Sequence, residues 1–257
     1  MAISETARKN HERLFPGHVS ILAVTDPELV EHFDTFAFDE ILRHDILGDR
    51  TRLMVQLAAL IACQALGEYR VMLGAALNVG VTPIEAKEIV YQAVPYVGMG
   101  KAFDFLHATN DVLTERGVTL PLEPQATTTP DNRAERGLAV QKEIVGADAV
   151  DAMYAAAADD ELHFQDLLSA NCFGDHYTRG GIDLQTRELL TFALLVALGG
   201  CDPQVRGHVA ANGNVGNDRH RLIAVITQLL PFVGYPRTLN ALAAINAVAP
   251  ATQSRDV

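Results

Sequence analysis

Three side chains in the second half of this 257-residue chain could together supply an acid, a base and a nucleophile: Glu188, Cys201 and His208. Cys201 directly precedes Asp202-Pro203, a typical helix start, where unpaired backbone N–H groups and the helix dipole favour a thiolate. A separation of seven residues puts Cys201 and His208 on one helix face. Glu188, on the preceding helix, would return toward His208 across a short Gly-Gly turn. The spacing predicts one site shared by the three groups.

The same residues also fit less reactive roles. A cysteine near a helix start is often a small buried hydrophobe, and the carboxylate of Asp202 opposes ionisation of its neighbour. Glu188 stands beside Arg187 and could form a simple ion pair. Cys63 lies in an apolar helix and is expected in the core. Cys172 is expected in a loop before the key helix, where it is either inert or resolves an oxidised Cys201.

Apolar residues recur every three or four positions, which predicts helices that position these side chains. One helix is predicted between an Asp183 cap and Gly199-Gly200, and the next begins at Asp202-Pro203. A third is predicted from Arg219 to Leu230, ending at Pro231, and a fourth from about Pro236. Strand signals are nearly absent, so the predicted fold class is all-α.

The chain is an internal duplication. A shift of 136 residues superposes Asn78-Val79-Gly80 on Asn214-Val215-Gly216, and further matches share that shift: Gln92 with Gln228, Pro95 with Pro231, Gly98 with Gly234. The proline- and threonine-rich stretch 120–130 reads as a connector. The predicted organisation is an N-terminal extension (1–30), a degenerate first copy (31–120), a linker (121–135) and a second copy with the candidate active site (136–257).

The first copy has lost the reactive set. Leu53, Leu66 and Met72 stand where the second copy has Glu188, Cys201 and His208. We therefore predict that the first copy is a structural partner that completes the packing and forms at most one wall of a pocket. The shared glycines and prolines are interpreted as turn and packing positions, with Pro95 and Pro231 ending helices.

Composition excludes several function classes. The chain has 32 acidic and 20 basic residues, a formal charge of −12, which disfavours binding to nucleic acids and to anionic membranes. Three cysteines form no disulfide framework, and no apolar run reaches the roughly 20 residues of a membrane span. The N-terminus has no signal-peptide pattern. We expect a cytoplasmic protein that acts on a small molecule.

No metal or other cofactor is expected. His163 lies two positions after Glu161, and His176 follows in the next predicted loop. No pair of ligands has the i,i+4 spacing that a helical metal site needs.

The order of these motifs resembles the carboxymuconolactone decarboxylase family, which includes the alkylhydroperoxidase D proteins. The resemblance rests on Thr186-Arg187-Glu188-Leu189, an apolar helix, a Gly-Cys turn, the histidine seven residues later, and the stretch from Gln228 to Leu239. It covers about residues 161–249 well and 32–115 more loosely. It implies an all-α bundle that forms homo-oligomers, with a trimer favoured for a fused pair.

The resemblance also implies roles for individual residues. Glu188, Cys201 and His208 match the glutamate, first cysteine and histidine of alkylhydroperoxidase D, whereas Gln204 replaces the second cysteine, so no disulfide can form within the motif. Residues that the resemblance places along the pocket or at a subunit contact are Tyr235, Arg237 and Asn240. Arg237 would hold an anionic substrate or form an interface salt bridge.

Three functions follow as hypotheses. The first is a thiol-dependent oxidoreductase or peroxidase with peroxiredoxin activity, in which Cys201 is the nucleophile, His208 moves the proton and Glu188 orients His208, with an external thiol as reductant. The second is a cofactor-independent decarboxylase for a small carboxylated lactone or cyclic metabolite, in which His208 or Glu188 delivers the proton. The third is a non-catalytic binding or assembly subunit.

Overall fold

A computed structural model describes residues 3–251, and this part of the chain is helical without any β-strand. Two π-helical segments, π1 and π2, interrupt the α-helices, and a 3₁₀ turn (Ile41–His44) follows π1. The elements are α1 Glu5–Leu14, α2 Leu22–Thr25, α3 Pro27–Thr35, π1 Phe36–Glu40, α4 Gly48–Ala62, α5 Leu66–Asn78, α6 Pro83–Val97, α7 Met99–Glu115, α8 Arg133–Val145, α9 Ala147–Ala156, α10 Leu162–Leu167, π2 Leu168–Tyr177, α11 Leu184–Leu198, α12 Asp202–Asn214, α13 Arg219–Val233 and α14 Tyr235–Val248.

Local sequence signals set the ends of these helices. Thr82 and Glu85 form a reciprocal capping box at the start of α6. The side chain of Asp183 accepts a hydrogen bond from the Thr186 backbone N–H, so α11 begins where the sequence predicts. Gly199 ends α11 with φ +69°, a conformation that a residue with a Cβ rarely adopts.

The two copies share one core. Helices α4 and α11, the central helix of each copy, are buried on nearly every face and pack against each other. Helix α6 of the first copy also packs on α11, and its counterpart α13 packs on α4. Each central helix therefore touches both copies, as expected for a helix that is apolar all round.

The duplicated pattern extends to the N-terminal helices. Helix α1 packs against π1 and α5, and helix α8 packs in the same way against π2 and α12. Helices α1 and α8 therefore take equivalent places in the two copies.

Two local predictions are wrong. Pro95 and Pro231 lie inside α6 and α13, which continue to Val97 and Val233, because a proline in the last turn removes only one hydrogen bond of the helix. Cys172 lies in the helical segment π2 rather than in a loop.

None of the helices within residues 3–251 is both long enough and apolar enough to cross a bilayer.

The contact between α8 and π2 has no room for a side chain at Gly137. A Cβ there would lie 2.0 Å from the Ser169 carbonyl oxygen and 2.6 Å from the Gly174 nitrogen. We expect Gly137→Ala to destabilise the protein by about 1–3 kcal/mol, because the backbone must move. The measurement is thermal or denaturant unfolding followed by circular dichroism.

Gly213→Ala is the matched control, since Gly213 is also helical and a Cβ there meets nothing within 4 Å. It should be neutral or stabilising by up to about 1 kcal/mol. Equal destabilisation by both substitutions would contradict this account of the packing.

Candidate active site

The turn at Gly199-Gly200 folds α12 back along α11 and brings Glu188 and His208 into contact. His208 Nδ1 lies 2.9 Å from Glu188 Oε2. Asn212 fixes the two helices by donating from its Nδ2 to the backbone carbonyls of Glu188 (3.2 Å) and His208 (2.7 Å). The Glu188 side chain is fully buried, whereas 17% of the His208 side chain is exposed. The imidazole therefore connects a buried carboxylate with the protein surface.

Tyr177, from the end of π2, holds the other oxygen of this carboxylate. Its hydroxyl donates to Glu188 Oε1 at 2.6 Å. Burial, followed by the charge of Glu188, raises the pKa of Tyr177 well above its ordinary value, so the phenol stays protonated. Each carboxylate oxygen of Glu188 thus has one donor, as a buried carboxylate requires.

The hydrogen bonds that connect Arg187 to Tyr177 all donate in the same direction, toward Glu188. Because its only proton goes to Glu188, the Tyr177 oxygen accepts from Thr191 at 2.7 Å. Thr191 Oγ1 in turn accepts from Gln92 Nε2 (3.2 Å), and Gln92 Oε1 accepts from Arg187 Nη1 (3.0 Å). The chain starts at a buried cation and ends at a buried anion, an order in which each bond polarises the next.

The first copy contributes directly to this site. Gln92 lies in α6, as does Tyr96, whose ring contacts that of His208 edge-on with 5.9 Å between the centroids. The Tyr96 hydroxyl lies 2.9 Å from that of Tyr177. The first copy therefore builds part of the His208 environment.

Four residues of this site, Tyr96, Tyr177, Thr191 and Gln92, are not predicted from the spacing of reactive side chains in the sequence. The repeat did contain one signal, because Gln92 and Gln228 coincide under the 136-residue shift. A glutamine retained among apolar helix positions indicates a buried polar contact. The two tyrosines gave no comparable signal.

Cys172 lies next to this network. Its thiol is buried, with Sγ 3.9 Å from the Tyr96 hydroxyl. Burial raises the pKa of Cys172 to about 12. The thiol therefore stays protonated near neutral pH.

Cys201 faces a different part of the molecule. It is the N-cap residue of α12, and its thiol donates to the Leu195 carbonyl oxygen at 3.3 Å. No hydrogen bond joins it to His208 or Glu188 within residues 3–251. Burial and then the charge of Asp202 raise the pKa of Cys201. The structure thus brings two of the three predicted catalytic side chains together and directs the third elsewhere.

Two of the predicted substrate-binding residues lie near Cys201. Arg237 and Asn240 line the same cleft, whose volume is about 20 Å³, roughly the space of one water molecule. Arg237 Nη1 also lies 3.3 Å from the sulfur of Cys63. Tyr235 is 61% exposed at the start of α14. None of the three hydrogen-bonds to His208 or Glu188 among the described residues.

The two histidines that were considered as metal ligands differ in their exposure to solvent. His163 is exposed on α10, whereas His176 lies in π2, where burial lowers its pKa. Between residues 3 and 251, no group of three or more His, Cys, Asp or Glu side chains is arranged to hold a metal ion.

The geometry around His208 suits proton transfer. Glu188 binds Nδ1, which fixes the ring orientation and leaves Nε2 to exchange a proton with a bound molecule. The fold and this pair define a duplicated all-α protein with a carboxylate–imidazole pair beside the contact between its copies.

The chain belongs to the carboxymuconolactone decarboxylase family, whose model matches residues 27–111 and 163–247. The two matched ranges start 136 residues apart, the same shift that superposes the sequence motifs. The predicted family and tandem fold are thereby confirmed. The 4-carboxymuconolactone decarboxylase of Acinetobacter baylyi is 30% identical over 112 residues, which is 44% of this chain and 83% of the relative.

The raised pKa values of Cys172 and Cys201 predict that both thiols react slowly. Modification by a thiol reagent at pH 7 should be slow at Cys201 and slower still at Cys172, because the thiolate is the reacting form and both pKa values are raised. The rate at Cys201 should rise with pH. Site-resolved mass spectrometry over a pH series measures both rates.

Asp202→Asn tests whether the carboxylate of Asp202 contributes to the raised pKa of Cys201. Asp202 is exposed, so the fold should tolerate the change, and removing the adjacent charge should speed modification of Cys201 at pH 8. A Cys201 that is fully reactive at pH 7, or that does not respond to Asp202→Asn, would contradict the prediction.

Proposed function

We propose that this chain is a cofactor-independent acid–base enzyme of the decarboxylase type, with Glu188 and His208 as its working pair. The observation that carries the proposal is the 2.9 Å contact between His208 Nδ1 and the buried carboxylate of Glu188. Membership of the carboxymuconolactone decarboxylase family supports a decarboxylase-like enzyme.

The pair has a defined task in such a reaction. Loss of CO2 from a carboxylated lactone breaks a C–C bond, and its electron pair delocalises into the conjugated lactone carbonyl. The resulting carbanionic carbon takes a proton from Nε2 of the His208 imidazolium, and the neutral ring keeps its Nδ1–H on Glu188. Proton uptake from solvent restores the imidazolium, so the net change is consumption of one proton and release of CO2.

The proposed substrate is a small carboxylated lactone or a related cyclic metabolite. The relative from Acinetobacter baylyi is named a 4-carboxymuconolactone decarboxylase, and this name suggests the first compound to test. The proposed chemistry takes place within the substrate and requires only proton transfer from the protein.

A thiol peroxidase is less well supported. Peroxide reduction needs a thiolate, and the pKa of Cys201 is raised by burial and by Asp202. Gln204, where the related peroxidases have their second cysteine, is exposed on α12. The thiol of Cys201 also has the Leu195 carbonyl rather than His208 as its partner.

Substitutions at the two positions separate the functions. His208→Ala should lower kcat for decarboxylation of 4-carboxymuconolactone by about 10²–10⁴-fold, the usual contribution of a general acid. Cys201→Ser should retain most of the turnover, because the sulfur takes no part in the proton transfer. Release of CO2 measures both.

Circular dichroism of each variant verifies the fold, and peroxide consumption is measured in parallel. Loss of decarboxylation in Cys201→Ser, or peroxide turnover that depends on Cys201, would reject the acid–base proposal in favour of the thiol enzyme. Absence of CO2 release from a panel of carboxylated lactones would reject it as well.

Tyr177→Phe tests the support of the carboxylate. It removes the hydrogen bond to Glu188 Oε1 and keeps the aromatic ring, so kcat should fall by roughly tenfold, the equivalent of about 1.4 kcal/mol. Phe173→Leu alters the ring that stacks on Tyr177 without touching this hydrogen bond, and it should leave kcat near the wild-type value. Equal effects of both substitutions would indicate that Tyr177 acts only through packing.

A further inference from the structure

A second cavity is lined by residues of helix α6 that precede Gln92 and Tyr96 in the sequence. Its volume is about 350 Å³, within the range of small-molecule sites. Helix α6, the connector after α7 and the loop before α11 form its walls. The lining side chains used below are Ile84, Lys87, Glu88, Tyr91, Leu122 and Arg179.

The charged residues that line the cavity are Lys87, Arg179, the exposed Glu123 and the buried carboxylate of Glu88. This carboxylate is 1% exposed and binds two guanidinium groups, those of Arg179 and Arg187. Arg179 uses Nε and Nη2 for this contact, and its Nη1 forms no hydrogen bond within residues 3–251. One buried carboxylate therefore neutralises only part of the charge, and one guanidinium nitrogen remains available.

Lys87 is, with Arg179, the second cation that lines the cavity. Its ammonium group bonds to the Asn110 side-chain oxygen, and no carboxylate within the described chain lies in ion-pair range. Burial lowers the pKa of Lys87, as expected for a cation that has lost water without gaining an anion. A bound carboxylate would compensate this charge.

The rest of the cavity suits a flat apolar group. The guanidinium of Arg179 lies 4.9 Å from the centre of the Tyr91 ring, and Lys87 Nζ lies 5.8 Å from the same centre. Ile84 and Leu122 contribute aliphatic surface. A planar ring would thus be enclosed by apolar side chains while its acid group meets the cations.

The loop that carries Arg179 is held in place by hydrogen bonds to Arg187 and to the connector. Arg187 Nη2 donates to the backbone carbonyls of Arg179 and Gly180, at 3.0 and 2.8 Å. The Gly180 N–H donates to the Gln125 carbonyl at 2.9 Å. At Gly181 a Cβ would lie 2.7 Å from the Ile84 side chain. The loop is therefore fixed on both the connector and α6, which favours binding without a large ordering cost.

We propose that this cavity is a binding site for a small organic carboxylate with a flat apolar body, held by Lys87 and Arg179. The proposal does not depend on the function assigned to Glu188 and His208, because neither of these residues lines this cavity. Glu88 keeps Arg187 when Arg179 turns toward the ligand, so no buried carboxylate is left without a partner.

Titration of the full-length protein with benzoate tests the site. Isothermal calorimetry should give saturable binding to the wild type, and Lys87→Met should weaken it at least tenfold because the ammonium charge is lost while the apolar stem remains. Lys101→Met is the matched control, since Lys101 is exposed at the start of α7. This variant should bind benzoate with the affinity of the wild type. Benzyl alcohol, which has the ring without the charge, should bind at least tenfold more weakly than benzoate.

A spectroscopic measurement locates the ligand. Amide NMR shifts caused by benzoate should concentrate in α6, the 120–125 connector and the Arg179 loop. Lys87→Gln provides a second test of the charge if Lys87→Met unfolds. Absence of saturable benzoate binding to the wild type, unchanged affinity in both Lys87 variants, or equal affinity for inorganic phosphate would overturn the proposal.

Discussion

The fully buried carboxylate of Glu188 is the constraint on which the site depends. An ionised carboxyl group out of contact with water needs a donor on each oxygen, and an unmet requirement costs several kcal/mol. His208 and Tyr177 supply those donors at 2.9 and 2.6 Å. The return of α12 along α11 and the position of π2 are therefore the arrangement that makes burial of Glu188 possible. In the same arrangement the partly exposed His208 ring connects the carboxylate with the surface.

Duplication allows the two copies to differ. With Leu53 in place of the glutamate, the first copy has no carboxylate at the position of Glu188, and its polar side chains take other partners. Arg52 pairs with Asp45 and Asp49, whereas its counterpart Arg187 supports the network of the second copy through Gln92. Gln228, the counterpart of Gln92, donates to the Ile41 carbonyl and leaves its own buried oxygen unpaired. One copy has kept the polar network, and the other supplies the helix that completes it.

Sequence predicts the helices and the duplication well, because caps, turn glycines and apolar spacing are local signals. Asp183 and Gly199 bound α11 as expected. The hydrogen-bond network around Glu188 and His208 was harder to predict for two physical reasons. Tyr177 ends a π-helical segment, whose wider turns shift side chains off the α-helical spacing used to assign faces. Tyr96 reaches His208 from the other copy, and contacts between distant parts of a chain leave no periodic signal.

The surroundings of Cys201 show why helix position alone does not make a thiol reactive. A helix N-terminus stabilises a negative charge by about 0.3–1 kcal/mol, less than the roughly 1.4 kcal/mol that corresponds to one pKa unit. Burial and the carboxylate of Asp202 act in the opposite direction, and together they raise the pKa of Cys201. Gln204 stands in place of a second cysteine, so the motif of this helix start also offers Cys201 no partner thiol. The proton transfer proposed for the Glu188 and His208 pair needs neither a thiolate nor a second cysteine.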